Sequence, residues 1–115
     1  MNMRSYPFQI EYYVRDNGKI PFKEWLEGLK DVAARARIRI RLDRVRLGNL
    51  GDSRSVGDGV HELKVDYGPG YRIYFAREGE RIILLLMGGV KSKQARDIDK
   101  AISYMKDWKG REEYA

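Results

Sequence analysis

Charged and phenolic side chains alternate with apolar ones along two consecutive predicted strands of the sequence. The alternation puts Glu62 and Lys64 on one face of the first strand, and Arg72 and Tyr74 on the corresponding face of the second. The apolar sides of both strands must share the core, because a slip of one residue would bury Lys64 and Arg72 instead. We therefore predict that these four side chains lie together on a solvent-exposed sheet face, either as a functional site or as an ordinary surface with cross-strand ion pairs.

A second group of polar residues follows the third predicted strand, at residues 88–93, which read Gly-Gly-Val-Lys-Ser-Lys. The glycines permit close approach of the backbone, and Ser92 is predicted to cap the helix that follows. Helix N-termini bind anions, and Lys91 and Lys93 add positive charge to this one. The segment is not a Walker A loop, because the spaced upstream glycine is missing. It predicts an anion-binding position, unless it is only a generic helix start.

The amino-acid composition limits the chemistry that is available. The sequence has no cysteine, which excludes disulfides, thiolate catalysis and cysteine-based zinc sites. With His61 as its single histidine, a histidine-rich metal site or a catalytic triad is hard to assemble. His61 also lies on the predicted core side of its strand, where histidine is more often structural. We therefore predict no metal or other cofactor, and catalysis would depend on Lys, Arg, Glu, Asp, Tyr or His61.

The net charge favours a polyanionic partner. Lysine and arginine number 23 against 17 aspartates and glutamates, which gives a formal charge of +6. Arg54 lies in a predicted surface loop at residues 50–59. A predicted long helix carries arginines on two flanks, which are either a solvated surface or a contact for ribosomal RNA. One flank has Arg35, Arg39 and Arg46, and the other has Arg37, Arg41 and Arg44.

Hydrophobic periodicity predicts the first elements of the fold. Residues 8–15 alternate like a half-buried strand with the even positions inside, and a short amphipathic helix begins at Pro21 and ends at residues 28–30. Residues 31–47 are assigned to a second helix, because Asp31 can cap a run of strong helix formers. This helix has two apolar stripes, one formed by Ile38, Leu42 and Val45, and a roughly opposite one formed by Ala33, Ala36, Ile40 and Leu47.

The remaining pattern completes one α+β domain over residues 1–115. Strands at 60–66, 71–77 and 82–88 are joined by short glycine-containing turns, and a last helix starts at Ser92. Residues 109–115 carry too little apolar character to require order. The order βααβββα predicts a twisted antiparallel sheet with two N-terminal helices on one face, an open opposite face and a C-terminal helix. No membrane-spanning run or secretory leader is apparent, so a cytoplasmic location is expected.

Three blocks of the sequence resemble a known family. They are residues 59–64 (Gly-Val-His-Glu-Leu-Lys), 68–75 (Gly-Pro-Gly-Tyr-Arg-Ile-Tyr-Phe) and 88–94 (Gly-Gly-Val-Lys-Ser-Lys-Gln), the last followed by Asp97-Ile98. Their order and spacing are similar to those of the phage-derived addiction module killer proteins, the Gp49-like or HigB-like branch of the RelE/ParE toxin superfamily. The resemblance extends from about Tyr12 to Met105. It implies the RelE-like fold, which agrees with the predicted order of elements.

The resemblance also implies a function, that of the toxin of a type II toxin–antitoxin module. Such toxins are endoribonucleases that cleave mRNA, commonly in the ribosomal A site, without a metal. A ribose 2′-OH attacks the adjacent phosphate and leaves a 2′,3′-cyclic phosphate. The basic positions of the family match Lys64, Arg72 and Lys91, or Lys93 in place of Lys91. Arg72 and Lys91 would stabilise the developing charge, and Lys64 or Glu62 would take the 2′-OH proton.

The remaining roles in the implied ribonuclease site are less fixed. Arg54, Ser92 and Lys93 are candidates for binding RNA phosphates. Several relatives carry a His or Tyr near the C-terminus as general acid, but no residue here matches that position. The local aromatic residues are Tyr104, Trp108 and Tyr114. Tyr74 is therefore a further candidate for the acid.

The partners implied by the resemblance are mRNA, the ribosome and a cognate helix-turn-helix antitoxin that forms a hetero-oligomer with the toxin. The antitoxin could cover the basic sheet face or grip the second apolar stripe of the long helix, and we favour the stripe unless the first helix already covers it. Two rival functions stay open. ParE-like members share the fold but poison DNA gyrase by binding, and a non-toxic prophage protein could bind nucleic acid.

Overall fold

The computed structural model describes residues 6–113 and shows an α+β protein. Its elements are β1 (Gln9–Tyr12), α1 (Pro21–Gly28), α2 (Val32–Arg46), β2 (Ser53–Gly57), β3 (Val60–Val65), β4 (Tyr71–Glu78), β5 (Ile82–Val90), a 3₁₀ turn (Lys91–Lys93) and α3 (Gln94–Glu113). The five strands form one sheet in the order β1-β5-β4-β3-β2. No helix within the described residues is long and apolar enough to cross a membrane.

Helices α1 and α2 contribute to the core on one face of the sheet, as the sequence predicts. Pro21 begins α1, where its missing N–H leaves no hydrogen bond unmade. Asp31 caps α2 by accepting a hydrogen bond from the backbone N–H of Ala34 at 3.1 Å. The predicted stripe of α2 is buried in this core together with side chains from three strands. Its members are Ile38, Leu42 and Val45, and the strand residues include Leu63, Ile73, Phe75 and Leu85.

The opposite face of the sheet is covered by α3, so the prediction of an open face is wrong. Ala101, Tyr104 and Met105 of α3 are buried in a second core. The strand residues that share this core are Val60, Tyr74, Ala76, Leu84, Leu86 and Met87. The reason lies in β5, where consecutive apolar residues point to both faces of the sheet and require a cover on each.

Residues 53–57 form the edge strand β2, although the sequence predicts a loop there. The strand pairs antiparallel with β3, and Ser53, Arg54 and Ser55 lie opposite Leu63, Glu62 and His61. The side chains of β2 are mostly exposed, so the sequence shows no alternating apolar pattern there. The strand is held instead by its backbone hydrogen bonds with β3. The observed order of elements is therefore βααββββα.

The strand β1 departs from the predicted antiparallel sheet. It runs parallel to β5, with Gln9 opposite Ile82 and Tyr12 opposite Leu85. It is also shorter than residues 8–15, and beyond it Tyr13 is buried whereas Val14 is exposed. Tyr13 is buried in place of Val14 because its ring packs against α3, where it stacks on Tyr104 with 5.0 Å between the centroids.

Helix α3 is longer than predicted, since it continues through residues 109–113. Arg111 helps to hold this end, because its Nη2 donates to the backbone oxygen of Val14 and to Oδ2 of Asp107, both at 2.7 Å. The rest of the predicted tail, including Tyr114, lies outside the described residues.

Candidate functional site

The sheet brings most of the predicted site residues together at the end of the molecule where α3 begins. Two rows of Cα partners cross the strands there. One row is Lys64, Arg72 and Gly89, and the other is Arg54, Glu62, Tyr74 and Met87. The 3₁₀ turn with Lys91, Ser92 and Lys93 follows β5 directly. The face assignment of Glu62, Lys64, Arg72 and Tyr74 is thus correct, but only Lys64 remains appreciably accessible.

Glu62 is the centre of this cluster and is fully buried. Its Oε1 lies 3.2 Å from Nε of Arg54 and 3.6 Å from Nε of Arg72. Its Oε2 accepts a hydrogen bond from the side-chain amide of Gln94 at the start of α3. Because both oxygens are engaged and shielded from water, the carboxylate holds the two arginines in place.

Arg72 is buried with 8% of its side chain exposed. Its Nη1 donates to the backbone oxygen of Tyr71 at 3.1 Å, whereas Nε has no hydrogen-bond partner among the described residues. The 3.6 Å contact with Glu62 is too long for a hydrogen bond, so it is an ionic contact. The guanidinium extends towards Gly70, where a Cβ atom would meet both Nη1 of Arg72 and the side chain of Lys91. The side chains of the two residues predicted to bind phosphate therefore meet beside Gly70.

Tyr74 lies beside Glu62 and is fully buried. Its hydroxyl has no hydrogen-bond partner among the described residues. Burial raises the pKa of this phenol, and the nearby carboxylates of Glu62 and Asp97 raise it further. The raised pKa makes Tyr74 a weak proton donor, and its burial keeps it from contact with water or substrate. Tyr74 is therefore poorly suited to be the leaving-group acid that the sequence suggested.

Asp97 is a further buried member of the cluster to which the sequence analysis assigned no role. Burial raises the pKa of its carboxyl group, against the opposing effect of Arg96, Lys100 and Lys93. A helical signal could have revealed its burial, because Asp97 precedes Ala101 by four residues and Tyr104 by seven, on the same face. It is the polar start of the buried stripe of α3.

Gly88 and Gly89 serve packing in this structure. A Cβ atom on Gly88 would collide with the ring of Trp25 from α1, and one on Gly89 would collide with the carboxylate of Asp97. Both glycines are buried. They allow helices on the two faces to approach β5 closely, which is the close approach of the backbone that the sequence predicts.

The cations that solvent can reach surround this buried cluster. Lys91 and Lys93 are exposed in the 3₁₀ turn, Lys64 is half-buried, and the side chain of Arg54 is 57% exposed. Ser92 is also exposed but lies within the turn, and α3 begins only at Gln94. The predicted cap by Ser92 is therefore wrong by one residue, because the residue that precedes α3 is Lys93. An anion that approaches this end of the sheet meets positive charge on several sides.

His61 lies on the other face of the sheet from Glu62 and stacks on Phe75, with 5.3 Å between the ring centroids. Burial and the neighbouring Arg77 lower the pKa of this imidazole. It is a half-buried packing residue, as predicted. Within residues 6–113 no group of three or more acidic or histidine side chains could hold a metal ion.

The fold and this cluster define a small α+β protein in which exposed cations surround a buried carboxylate and arginine. The chain belongs to the same family as an uncharacterized protein of Haemophilus influenzae strain Rd. The two are 44% identical over 82 residues, which cover 71% of this chain and 83% of that protein. The sequence matches no family model.

Proposed function

We propose that this protein is the toxin of a type II toxin–antitoxin module and has a RelE-like fold. We further propose that it acts as a metal-independent endoribonuclease that cleaves mRNA on the ribosome. The observation that supports this proposal is a group of cations at one end of the sheet: Arg54 and Arg72 contact Glu62, Lys64 is the Cα partner of Arg72, and the side chains of Arg72 and Lys91 meet beside Gly70. Fixed cations are what the cleavage of a phosphodiester needs, because negative charge builds on the nonbridging oxygens in the transition state.

In the proposed reaction the 2′ oxygen of a ribose attacks the adjacent phosphorus, and the bond from phosphorus to the 5′ oxygen breaks. The products are a 2′,3′-cyclic phosphate and a 5′-hydroxyl end, which takes its proton from water. Lys64 is the candidate base, because it is partly accessible whereas both oxygens of Glu62 are engaged. Arg72 and Lys91 bind the phosphate oxygens. Since Arg72 is almost fully covered, contact with phosphate requires that the side chains around it move aside.

Expression of the protein in bacterial cells tests the proposal. We expect growth arrest, and primer extension on cellular mRNA should reveal new 5′ ends. Arg72→Ala should relieve the arrest, since loss of one such donor costs about 3 kcal/mol of transition-state stabilisation. Lys23→Ala is the control, because Lys23 is an exposed cation of α1 and belongs neither to the cluster nor to the arginine flanks of α2. If Arg72→Ala folds normally and stays fully toxic, the cluster is not the site.

The proposed partner is a helix-turn-helix antitoxin that binds the second apolar stripe of α2. Ile40 and Leu47 are 51% and 64% exposed, so α1 does not cover them. Ala33 and Ala36 in the same stripe are exposed as well. Exposed apolar residues in a row on a small protein are typical of an interface.

A gyrase-binding toxin is the second candidate function, and the burial of Glu62 and Tyr74 favours it. A toxin that acts by binding needs neither a base nor an acid in contact with solvent. Growth arrest without mRNA cleavage, together with inhibition of DNA supercoiling by purified gyrase, would select this function instead.

A further inference from the structure

A basic groove lies between α2 and the turn that joins β3 to β4. We call it the α2 groove and define it by Arg37, Arg41, Arg44, Lys64 and Tyr67, which line a cavity of about 390 Å³. Among the described side chains none of its four cations forms an ion pair. Asp66 is the one acidic residue among those that line the cavity. The groove therefore carries a net positive charge.

Arg41 is fixed within the α2 groove. Its Nη1 donates to the backbone oxygen of Asn49 at 3.1 Å and its Nη2 to that of Leu50. A side chain on Gly51 would collide with the guanidinium, so the loop after α2 is shaped around it. Burial lowers the pKa of Arg41, and the neighbouring Arg44 lowers it further, against the opposing effect of Asp52. Cations crowded in this way are stabilised by an anion that bridges them.

A stacked pair of side chains gives the groove a second property. The guanidinium of Arg37 lies 4.7 Å from the ring centroid of Tyr67. Unstacked bases of single-stranded RNA stack on aromatic rings and on guanidinium planes. A phosphodiester chain would thus find both charge and a stacking surface, whereas an acidic peptide would use only the charge.

Lys64 connects the α2 groove with the candidate site. It lines the groove and is also the Cα partner of Arg72 across β3 and β4. We propose that the α2 groove binds the backbone of single-stranded RNA, with a base on the Arg37–Tyr67 stack, and that the strand continues past Lys64 to the candidate site. This deepens the proposed function and rests on it for the identity of the polyanion.

Binding of a labelled oligoribonucleotide with 2′-O-methyl groups tests the groove apart from catalysis, because the masked 2′ oxygen cannot attack. The variant is Arg37→Gln with Arg44→Gln, and Arg41 is left intact because it holds the loop. The control is Lys23→Gln with Arg39→Gln, which removes the same charge from exposed positions that do not line the groove. Fluorescence anisotropy is measured over a range of salt concentrations.

The affinity of the groove variant should fall less steeply with salt: the magnitude of the slope of log affinity against log salt should decrease by about 0.7 to 1.4. This corresponds to roughly 5- to 25-fold weaker binding at about 0.1 M salt. The control should bind like the wild-type protein. Equal losses in both variants, no loss in either, or no binding by the wild type would overturn the proposal. Polyglutamate that binds through the groove when the oligonucleotide does not would identify an acidic protein partner instead. Groove-dependent binding without mRNA cleavage would retain the inference and overturn the proposed ribonuclease.

Discussion

At the scale of single residues, Glu62 determines how the candidate site is built. A carboxylate on the α3 face of β3 is shared by an exposed arginine and a buried one, and Gln94 ties it to α3. The same side chain therefore connects the sheet, the edge strand and the last helix. Glu62 can hold the two arginines in place because it is buried, and the sequence pattern did not predict that burial.

Glu62→Gln should destabilise the protein by about 3 kcal/mol, because it leaves the buried guanidinium of Arg72 without a counter-charge. Urea unfolding measures the change in the free energy of unfolding. The matched control is Asp43→Asn, which removes the exposed ion pair with Arg46 and should cost less than about 1 kcal/mol. Similar stabilities for the two variants would contradict the role given to Glu62.

The sequence predicted which residues share a face, but it did not predict their exposure. Alternation along a strand fixes the side to which Glu62, Arg72 and Tyr74 point. Whether that side meets water depends on which helix packs on it, and this is a long-range property. For the same reason the sequence did not predict that Asp97 and Gln94 belong to the cluster, because only the packing of α3 brings them there.

At the scale of elements, α3 carries a carboxyl group into the interior at its first turn. Since burial raises the pKa of Asp97 in the folded state, the folded protein binds a proton more tightly there than the unfolded chain does. The contribution of this group to stability is thus present at low pH. It is lost as the pH rises through the unfolded pKa to the folded pKa.

Asp97→Asn should therefore stabilise the protein at neutral pH and remove this part of the pH dependence. Thermal unfolding between pH 3 and 8 measures both effects. Asp99→Asn is the control, because Asp99 is exposed on the same helix. A loss of stability in Asp97→Asn at pH 7 would mean that the charged carboxylate is favourable where it lies.

Helix α2 offers a test of the proposed antitoxin interface. Ile40→Glu should change the stability by no more than about 0.5 kcal/mol, because the side chain is half in water. It should weaken the complex with the cognate antitoxin, since it replaces an apolar contact at the proposed interface with a charge that binding would have to desolvate. Calorimetric titration measures the affinity, and unchanged binding would direct the search to another surface.

The sequence predicted most elements because their signals are local. Pro21 and Asp31 mark the starts of α1 and α2, and glycine-containing turns separate β3, β4 and β5. The strand β2 was missed because its Ser and Arg side chains carry no apolar pattern. The parallel pairing of β1 was not predicted, because the period of the apolar residues identifies a strand but neither its neighbour in the sheet nor its direction.

At the scale of the whole molecule, the positive charge is spread over open surfaces. The candidate site lies beside the start of α3, and the α2 groove adjoins it at Lys64. Both are open to solvent, so neither would enclose an RNA strand. Cations alone position a flexible RNA loosely, so an external scaffold should supply orientation. We therefore expect mRNA on ribosomes to be cut much faster than free RNA, with 2′,3′-cyclic phosphate ends. The slow cleavage of free RNA should survive EDTA, which cannot be added to the ribosomal assay because ribosomes need Mg²⁺.

Cleavage assays on the same message, free and ribosome-bound, measure this difference. Ends that carry a 3′-hydroxyl together with a strict requirement for Mg²⁺ would contradict the proposed reaction. Equal rates on both substrates would leave the reaction intact but remove the need for the ribosome.

The parallel pairing of β1 with β5 has a consequence for how the chain is made. Because Gln9 lies opposite Ile82, β1 cannot pair with β5 until residues 82–85 have been synthesised. Contacts this distant in sequence form late, because a long loop must close first. The cluster around Glu62 also needs Gln94 and so cannot be complete on a shorter nascent chain. The pairing of β1 and the completion of this cluster are therefore late steps, which follow the synthesis of residues 82–94.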